Sequence, residues 1–289
     1  MLQDIAPQKL CNQYDASIHP KDEDIVFCFY GKEVLLAQGG LPTKKILFQT
    51  FGEELQAYGE FIFLFKIDEM SFFLCLHQIP RVSALTESDQ QLGFSYYSLR
   101  GDLGVVLAED TLVFAAFTAY HLYEWYDANR FCGHCGAKMQ HDDKERAIRC
   151  SDCDSLVFPR INPAVIVAVR NGEQLLMTKY VKSRGVPFYA LIAGFTEIGE
   201  TLEETVAREV YEETGVRVTN ITYYKSQPWG LDCDILAGFY CDVVGDTTIH
   251  MDENELRLAE WVRREDIVGQ PNNYSLTNEL MMQFVNHKI

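Results

Sequence analysis

Three glutamates in one short segment, Glu209, Glu212 and Glu213, are the residues of this sequence best suited to chemistry. If the segment is a helix with roughly 100° per residue, their side chains fall within an arc of about 100°. Carboxylates this close repel one another and raise each other's pKa unless a cation neutralises them. Mg²⁺ and Mn²⁺ are hard cations that prefer oxygen ligands, so we expect one of them here.

The flanking residues predict the helix that positions these acids. Thr201, followed three residues later by Glu204, is a capping-box signature, so a helix should begin there. Gly215 is typical of the residue at which a helix ends. Val206 and Val210 lie beside the acidic arc, so the acids should stand at the edge of a buried face. A solvated acidic surface is the alternative, but it needs neither an arginine among its acids nor a glycine loop before them.

Residues 194–216 resemble the Nudix box. Their sequence, GFTEIGETLEETVAREVYEETGV, fits the pattern G-x5-E-x7-R-E-U-x-E-E-x-G-U, in which U is aliphatic, at every fixed position. The resemblance implies a Nudix hydrolase, which uses Mg²⁺ or Mn²⁺ to split a diphosphate that links a nucleoside to another group. It also implies an α/β/α Nudix sandwich for this part of the chain.

The resemblance assigns roles to the charged residues of the box. Glu209 and Glu213 are expected to hold the catalytic cation. Glu212 is expected to be either a further metal ligand or the general base, and both roles stay open. Arg208 is expected to hold the acids in place by charge-assisted hydrogen bonds. The catalytic residues implied are thus Glu212, Glu213 and Arg208.

A further metal ligand is expected from a loop beyond the box. Glu255 precedes Trp261 by six residues, the position at which the resemblance implies another acidic ligand. Glu253 and Glu260 are nearby rivals for this role. The metal ligands implied for Mg²⁺ or Mn²⁺ are Glu209, Glu212, Glu213 and Glu255.

Four cysteines form two CxxC pairs before the box, Cys132 with Cys135 and Cys150 with Cys153, and fourteen residues separate the pairs. Each pair can present two thiolates to one tetrahedral Zn²⁺. We expect a zinc ribbon over residues 129–156 that depends on the metal for its folding, because the residues between the pairs are polar and too few for a core. The zinc should be structural, since a closed four-thiolate site leaves no position for substrate. A redox role is the alternative, but it needs a single pair within a βαβ pattern.

The order of the motifs resembles one Nudix subfamily, the NADH pyrophosphatases. An N-terminal domain, the paired cysteines and the box are followed by Ser-Gln-Pro-Trp at residues 226–229. The resemblance implies hydrolysis of NADH or NAD⁺ to AMP and nicotinamide mononucleotide, and a homodimer. It also implies four substrate-binding residues, among them aromatic rings that stack on the rings of the substrate: Phe158, Phe195, Gln227 and Trp229.

The sequence departs from the subfamily signature SQPWPFPxS after Trp229. Residues 230–234 read GLDCD, where Pro, Phe, Pro, any residue and Ser are expected. Glycine adds freedom where proline would stiffen the chain, and leucine cannot stack as phenylalanine does. Asp232 and Asp234 bring negative charge, and three roles for them stay open: repelling a diphosphate, binding another cation, or facing solvent.

Other functions stay open as alternatives. A different nucleoside diphosphate, such as ADP-ribose, is one candidate substrate. A non-hydrolysing sensor of NAD or ADP-ribose is another alternative, but a sensor would not need every acid of the box. A nucleic-acid module built on the ribbon is disfavoured by the net charge of −17, although NAD-capped RNA ends stay a candidate substrate.

Length and composition bound the architecture. With 289 residues and 47% hydrophobic residues, the chain predicts two domains and a small third module. We expect an α+β N-terminal domain over residues 1–128, the zinc ribbon over 129–156 and the Nudix domain over 157–289. The N-terminal residues lack a signal-peptide pattern, and no apolar run reaches the length of a membrane span. Nine cysteines, four of them in tight pairs, favour a reducing cytoplasm over a secreted disulfide framework.

Local patterns predict further helices and strands. Before the ribbon we expect strands over residues 60–68, 71–79 and 104–108 and a long buried helix over 110–129. After the ribbon, an Asn-Gly pair at 171–172 predicts a hairpin between strands 162–170 and 173–180. Further strands are expected over 218–224, 235–244 and 260–262, and a last helix over 276–286.

Zinc content tests the ribbon. Purified protein should contain about one Zn²⁺ per chain, as expected for a four-cysteine site. Cys132→Ser should lower stability and solubility before it changes turnover, because the metal supplies the folding free energy of this segment. Metal analysis and thermal unfolding measure both effects. Protein purified without zinc, or zinc that exchanges freely with the catalytic cation, would contradict the structural role.

Overall fold

The computed structural model describes residues 1–58, 60–77, 79, 93–101, 103–181 and 188–288. The chain forms two compact units. The N-terminal unit comprises Asp4–Arg160 and Gly230–Cys233, and the C-terminal unit comprises Met1–Gln3, Ile161–Trp229 and Asp234–Ile289. The ribbon residues fall in the N-terminal unit, and the division into three domains stays a prediction. In the described part of the chain, no helix is long and apolar enough to cross a membrane.

Two β-sheets organise the first part of the N-terminal unit. A four-stranded sheet has the order β1-β5-β6-β2, and a three-stranded sheet has the order β3-β4-β7. Strands β5 and β6 confirm the strands predicted over residues 60–68 and 71–79, of which residue 78 lies outside the described residues, and they pair antiparallel. The strands are β1 (Leu10–Cys11), β2 (Ile25–Phe27), β3 (Phe29–Tyr30), β4 (Glu33–Ala37), β5 (Phe61–Ile67), β6 (Met70–Cys75) and β7 (Phe94–Ser98).

Within the described ranges, three helices accompany these sheets: α1 (Lys44–Tyr58), α2 (Leu103–Leu107) and α3 (Asp110–Ala128). Helix α3 confirms the long buried helix predicted from residue 110. The strand predicted over residues 104–108 is wrong, because helix α2 lies there. Leu103 and Leu107, four residues apart, are buried, whereas Val105 between them is 81% exposed. A strand would turn all three side chains to one face, so their exposure follows the helical period.

The ribbon is a three-stranded antiparallel sheet of order β10-β9-β8, made of β8 (Met139–His141), β9 (Ile148–Cys150) and β10 (Leu156–Val157). Polar contacts join it to β5 and the residues around it in the same unit. His141 Nε2 lies 2.9 Å from Glu60 Oε1, and the Arg146 guanidinium donates to the backbone carbonyls of Leu64 and Asn12. These contacts fix the ribbon within the N-terminal unit.

A six-stranded sheet forms the centre of the C-terminal unit, with the order β14-β15-β11-β12-β16 and with β13 paired to β11. Strands β11 and β15 are parallel, and the other pairs are antiparallel. Asn171 pairs with Gln174 and Gly172 has φ 58°, which confirms the predicted hairpin. The strands are β11 (Asn162–Asn171), β12 (Gln174–Tyr180), β13 (Ile192–Phe195), β14 (Val218–Trp229), β15 (Asp234–Val243) and β16 (Leu256–Arg263).

Helices α4 (Leu202–Thr214) and α5 (Leu276–Val285) cover opposite faces of this sheet. Ala164 and Ile166 of β11 share a core with Leu280 of α5, whereas Val165 shares a core with Val206 of α4. Successive residues of a strand point to opposite faces, so the two helices lie on opposite sides. The α/β/α sandwich predicted for this part of the chain is confirmed.

Strand β14 runs five residues beyond its predicted end at residue 224 and reaches Trp229. The Ser-Gln-Pro-Trp sequence therefore lies on a strand, where Gln227 pairs with Leu236 and Pro228 with Ile235. Proline lacks the N–H that a central strand needs, but β14 lies at the edge of the described sheet, where proline is tolerated.

Candidate active site

Both ends of helix α4 are fixed by local hydrogen bonds. Thr201 Oγ1 accepts a bond from the Glu204 N–H (3.2 Å), and the Glu204 carboxylate accepts one from the Thr201 N–H (2.8 Å). Gly215 adopts the left-handed conformation with φ 71°, and its N–H donates to the Tyr211 carbonyl (2.7 Å). The capping box and the terminal glycine predicted for this helix are therefore confirmed, and they define where its acids lie.

Arg208 forms hydrogen bonds with three of the acids. Its Nε and Nη2 donate to the two carboxylate oxygens of Glu200, at 2.6 and 2.9 Å. Its Nη1 donates to Glu209 at 2.8 Å and to Glu212 at 3.0 Å, and Nη2 also donates to the Phe195 carbonyl at 3.0 Å. The bidentate pairing with Arg208 lowers the pKa of Glu200 to about 2. These contacts are those expected of a residue that holds the acids in place.

The three acids of the helix differ in their exposure to solvent. The side chain of Glu212 is 59% exposed and that of Glu209 13%, and residue Glu213 is buried. Gly194 of strand β13 makes room for Glu209, because a Cβ at position 194 would overlap the Glu209 carboxylate. Burial raises the pKa of Glu209, the charges of Glu212 and Glu255 add to this effect, and Arg208 opposes it.

Glu213 is buried, and one of its carboxylate oxygens has no hydrogen-bond partner among the described residues. Burial is the main cause that raises its pKa to about 8; the charges of Glu209, Glu255 and Asp252 contribute to this shift, and a hydrogen bond from Tyr180 opposes it. The Tyr180 hydroxyl donates to Glu213 Oε1 at 3.2 Å. Oε2 is buried and has no hydrogen-bond partner among the described residues. A buried polar atom without a partner is costly, so this oxygen fits the role of a cation ligand.

Of the acidic residues proposed as a further metal ligand, Glu255 interacts electrostatically with the acids of the box. Its charge raises the pKa of both Glu209 and Glu213. The Glu255 carbonyl accepts a bond from the Val181 N–H at 2.8 Å, which holds the loop beside the end of β12. Glu260 instead accepts a hydrogen bond from the Tyr189 hydroxyl at 2.6 Å. The geometry favours Glu255 over Glu260 as the further ligand.

The chemistry of these carboxylates fits a hard divalent cation. Glu209, Glu213 and Glu255 offer oxygen ligands, and the buried Oε2 of Glu213 lacks another partner in the described chain. The carboxylates are not tightly clustered. Within the described ranges, the ribbon cysteines are the sole group with at least three metal-binding atoms within 4.8 Å of one another. Arg208 Nη1 bonds both Glu209 and Glu212 and neutralises part of their charge.

The ribbon cysteines fit one zinc ion. Cys132 Sγ lies 3.6 Å from Cys153 Sγ, and Cys135 Sγ lies 3.4 Å from Cys150 Sγ. Tetrahedral zinc, with Zn–S bonds of about 2.3 Å, separates its sulfur ligands by about 3.8 Å. Backbone N–H groups of Cys135 and His134 lower the pKa of the Cys132 thiol to about 6, which favours the thiolate that binds metal.

The predicted aromatic residues have different surroundings. Phe158 of the N-terminal unit and Phe195 of the C-terminal unit are each 52% exposed, so both rings are accessible to a ligand. Trp229 is partly buried and packs against the core on the α5 side of the sheet. It pairs with Asp234, which is buried at the start of β15, so Asp234 does not face solvent.

Gln227, expected to bind substrate, is fully buried and bonded within the protein. Its Nε2 donates to Gln3 Oε1 (2.8 Å) and to the Tyr274 carbonyl (2.7 Å). Its Oε1 accepts a bond from the Leu276 N–H (2.7 Å), the first residue of α5. Both amide hydrogens are used, so the geometry favours a structural role for Gln227 over the predicted contact with substrate.

The residues that replace the Pro-Phe-Pro part of the signature belong to the N-terminal unit. A Cβ at Gly230 would overlap the carbonyl oxygen of Phe117 in helix α3. Asp232 forms ion pairs with Lys32, at 3.4 Å, and with Arg100. The charge of Asp232 is therefore neutralised within the protein, which is none of the three roles left open by the sequence.

A sheet between two helices, with a capped helix that carries arginine-bound glutamates, defines a Nudix-type hydrolase domain, here accompanied by a four-cysteine ribbon. Comparison with family models agrees with this class. The NUDIX domain matches residues 160–283, and the NADH pyrophosphatase zinc ribbon domain matches residues 127–158.

Sequence similarity to known proteins identifies the family of this chain. The chain is 42% identical to the NAD-capped RNA hydrolase NudC of Vibrio cholerae over 200 residues, which cover 69% of this chain and 72% of that protein. It is 40% identical to NudC of Klebsiella pneumoniae over 169 residues, 58% of this chain and 65% of that protein. With Pectobacterium atrosepticum NudC it shares 41% identity over 150 residues, 52% of this chain and 57% of that protein. The chain thus spans less than two thirds of the Klebsiella and Pectobacterium proteins. It belongs to the Nudix hydrolase family and carries the NADH pyrophosphatase zinc ribbon.

Two residues of the site were given no role by the sequence. Glu200 occupies a fixed position of the box, and this position could have indicated that Glu200 pairs with Arg208. Tyr180 lies 33 positions before Glu213, at the end of another strand. No spacing rule connects the two residues, because the sheet brings them together.

Gly194→Ala should displace the Glu209 carboxylate, because the added Cβ would overlap it. We expect Mn²⁺ binding, measured by electron paramagnetic resonance, to weaken by about 10-fold or more while the far-ultraviolet circular dichroism is retained. Gly172→Ala is the control, since a Cβ there meets open space, and it should affect stability alone. Unchanged Mn²⁺ affinity in Gly194→Ala would contradict a role for Glu209 as a ligand.

Without added divalent cations, the stability of the zinc-loaded protein should fall as the pH rises towards 8. The pKa of Glu213 is raised from 4.5 to about 8, so the folded state holds this proton more tightly than the unfolded chain. The resulting stabilisation is complete below 4.5 and is lost as the pH rises through about 8. Urea unfolding across this range should show the loss, and Glu213→Gln should flatten it. Parallel curves for the two proteins would contradict the shift.

Proposed function

We propose that the chain is a Mg²⁺- or Mn²⁺-dependent diphosphatase of NADH and NAD⁺ that releases AMP and nicotinamide mononucleotide and also acts on NAD-capped RNA. The observation that supports the cation-dependent chemistry most directly is the buried Oε2 of Glu213, which has no hydrogen-bond partner among the residues that the structure describes. The substrate class rests on the names of the relatives, several of which are NAD-capped RNA hydrolases.

The proposed reaction adds water across the diphosphate. The water oxygen bonds to one phosphorus, the bond from that phosphorus to the bridging oxygen breaks, and two monophosphates form. Glu209, Glu213 and Glu255 would hold the cation, which neutralises the diphosphate oxygens and lowers the pKa of bound water. The carboxylate of Glu212, which is exposed and held by Arg208, supports a role as the base that accepts the water proton. A further metal ligand is the alternative role for Glu212.

Recognition of the substrate is proposed to rest on aromatic stacking. Phe158 and Phe195 have accessible rings, and Trp229 is the last residue of the part of the subfamily signature that this sequence retains. Stacking of a base on such a ring contributes roughly 1–3 kcal/mol. The proposed homodimer rests on the subfamily resemblance. The proposed cytoplasmic location rests on the nine cysteines, an odd number that includes two tight CxxC pairs.

Hydrolysis of ADP-ribose or a similar nucleoside diphosphate is the second candidate. It is favoured by residues 230–234, which lack the Pro-Phe-Pro sequence and include an aspartate neutralised by Lys32 and Arg100. A turn without the signature's phenylalanine offers less aromatic surface to a nicotinamide ring.

A substrate panel tests both candidates. Zinc-loaded protein is assayed with Mg²⁺ or Mn²⁺ against NADH, NAD⁺, ADP-ribose, FAD, diadenosine polyphosphates and NAD-capped RNA, with the products identified. The proposal expects AMP and nicotinamide mononucleotide from NADH with the highest kcat/KM. A preference for ADP-ribose would select the second candidate. Binding of NAD without turnover of any substrate would select the sensor.

Glu212→Gln and Glu213→Gln should each lower turnover of the best substrate by roughly 10²-fold or more, because each removes a base or a metal ligand. Both variants should keep the fold, since glutamine has nearly the same shape. Glu203→Gln, on the exposed first turn of the same helix, is the matched control and should retain turnover. Near-native turnover in both site variants would contradict the catalytic assignment.

A further inference from the structure

Tyr180 lies at the point where the sheet departs from regular pairing. It is the last residue of β12, and the register of β12 with β16 shifts between Lys179 and Tyr180. The extra residue of this irregularity is Arg257 on β16, and such bulges are frequent beside active sites. The Tyr180 ring packs against the core on the α4 side of the sheet. This packing places the hydroxyl beside the end of the helix that carries the acids.

The hydroxyl of Tyr180 is held from two sides. It accepts a bond from the Ala193 N–H at 2.9 Å and donates to Glu213 Oε1 at 3.2 Å. The carbonyl oxygens of Leu191 and Ala193 are competing acceptors at 3.4 Å. The hydroxyl has one proton, and Glu213 Oε1 is the closest of these acceptors, so we assign the proton to the bond with Glu213. Ala193 also precedes Gly194, whose missing side chain makes room for Glu209.

These contacts treat the two oxygens of Glu213 differently. Oε1 is engaged by Tyr180, whereas Oε2 is buried and has no hydrogen-bond partner in the part of the chain that the structure describes. We propose that Tyr180 is a positioning residue that fixes the rotation of the Glu213 carboxylate and so presents Oε2 to the divalent cation. The inference rests on the cation-dependent function proposed above.

The competing explanation is that Tyr180 is a core tyrosine whose hydroxyl merely needs a partner. Removing a hydrogen bond would then lower stability without affecting the cation. Tyr240 offers a matched control, because it is a buried tyrosine of the same sheet whose hydroxyl donates to the Leu280 carbonyl at 2.7 Å, on the α5 side. Tyr240→Phe removes a buried hydroxyl of the same kind away from the acids.

The experiment measures Mn²⁺ binding by electron paramagnetic resonance on zinc-loaded protein without substrate, together with melting temperature, kcat and KM. Tyr180→Phe should raise the Mn²⁺ dissociation constant by about 10- to 100-fold, as the loss of partners of metal ligands typically does. At limiting Mn²⁺ it should lower kcat more than it changes KM. Tyr240→Phe should lower the melting temperature and leave the Mn²⁺ dissociation constant unchanged.

A second pair of variants isolates the contact itself. In a Glu213→Gln background, Tyr180→Phe should cause no further loss of Mn²⁺ affinity, because the ligand that it positions is gone. Native-like Mn²⁺ binding by Tyr180→Phe would overturn the positioning role while leaving the proposed diphosphatase intact. Equal losses of affinity with and without Glu213 would also overturn it. Failure of the unmodified protein to bind Mn²⁺ or to hydrolyse any substrate would instead overturn the proposed function.

Discussion

Electrostatic repulsion at the end of helix α4 is the constraint around which the C-terminal unit is arranged. Glu209, Glu212 and Glu213 occupy its last turns, where the helix dipole already disfavours negative charge, and no basic residue lies in the last turn. Arg208 offsets part of this cost, with bonds to Glu209 and Glu212 and a bidentate pair to Glu200. The remaining unfavourable charge is concentrated on Glu213, which is the most buried of the three.

Residues of the sheet also accommodate the repelling carboxylates of helix α4. Gly194 allows the Glu209 carboxylate to approach the backbone of β13, and Tyr180 reaches Glu213 from the end of β12. Strand β11 connects these features to both cores, because its alternate residues pack under α4 and under α5. The rigid sandwich therefore holds together charges that would separate on an isolated helix, and the proposed cation would relieve the repulsion that the fold maintains.

The sequence predicted those features that depend on neighbouring residues. Thr201 and Glu204 define the helix start within one turn, and Asn171 and Gly172 define the hairpin, so local spacing was sufficient. Contacts between distant residues were missed. The residues that form ion pairs with Asp232 lie 132 and 200 positions away in the sequence. The side-chain amide of Gln227 donates hydrogen bonds to residues near both ends of the sequence, Gln3 and Tyr274.

The strand prediction over residues 104–108, where helix α2 lies, was wrong for a different physical reason. Val105 and Val106 have a high intrinsic preference for strands, but the preference is weak compared with burial of Leu103 and Leu107 on one helical face. The ribbon was predictable because thiolate spacing reflects the coordination geometry of a metal and needs no knowledge of the surrounding fold.

The close approach of Gly230 to the Phe117 carbonyl has a consequence for how this group of enzymes can diversify. A short signature segment such as residues 230–234 could be regarded as an interchangeable part that can be transplanted between homologues. Here a proline, or any residue with a side chain, at position 230 would collide with the backbone of α3, which cannot yield as a flexible side chain does. Transplanting the Pro-Phe-Pro sequence would thus require a compensating shift of that helix. The segment and the N-terminal helix are therefore expected to change together in evolution.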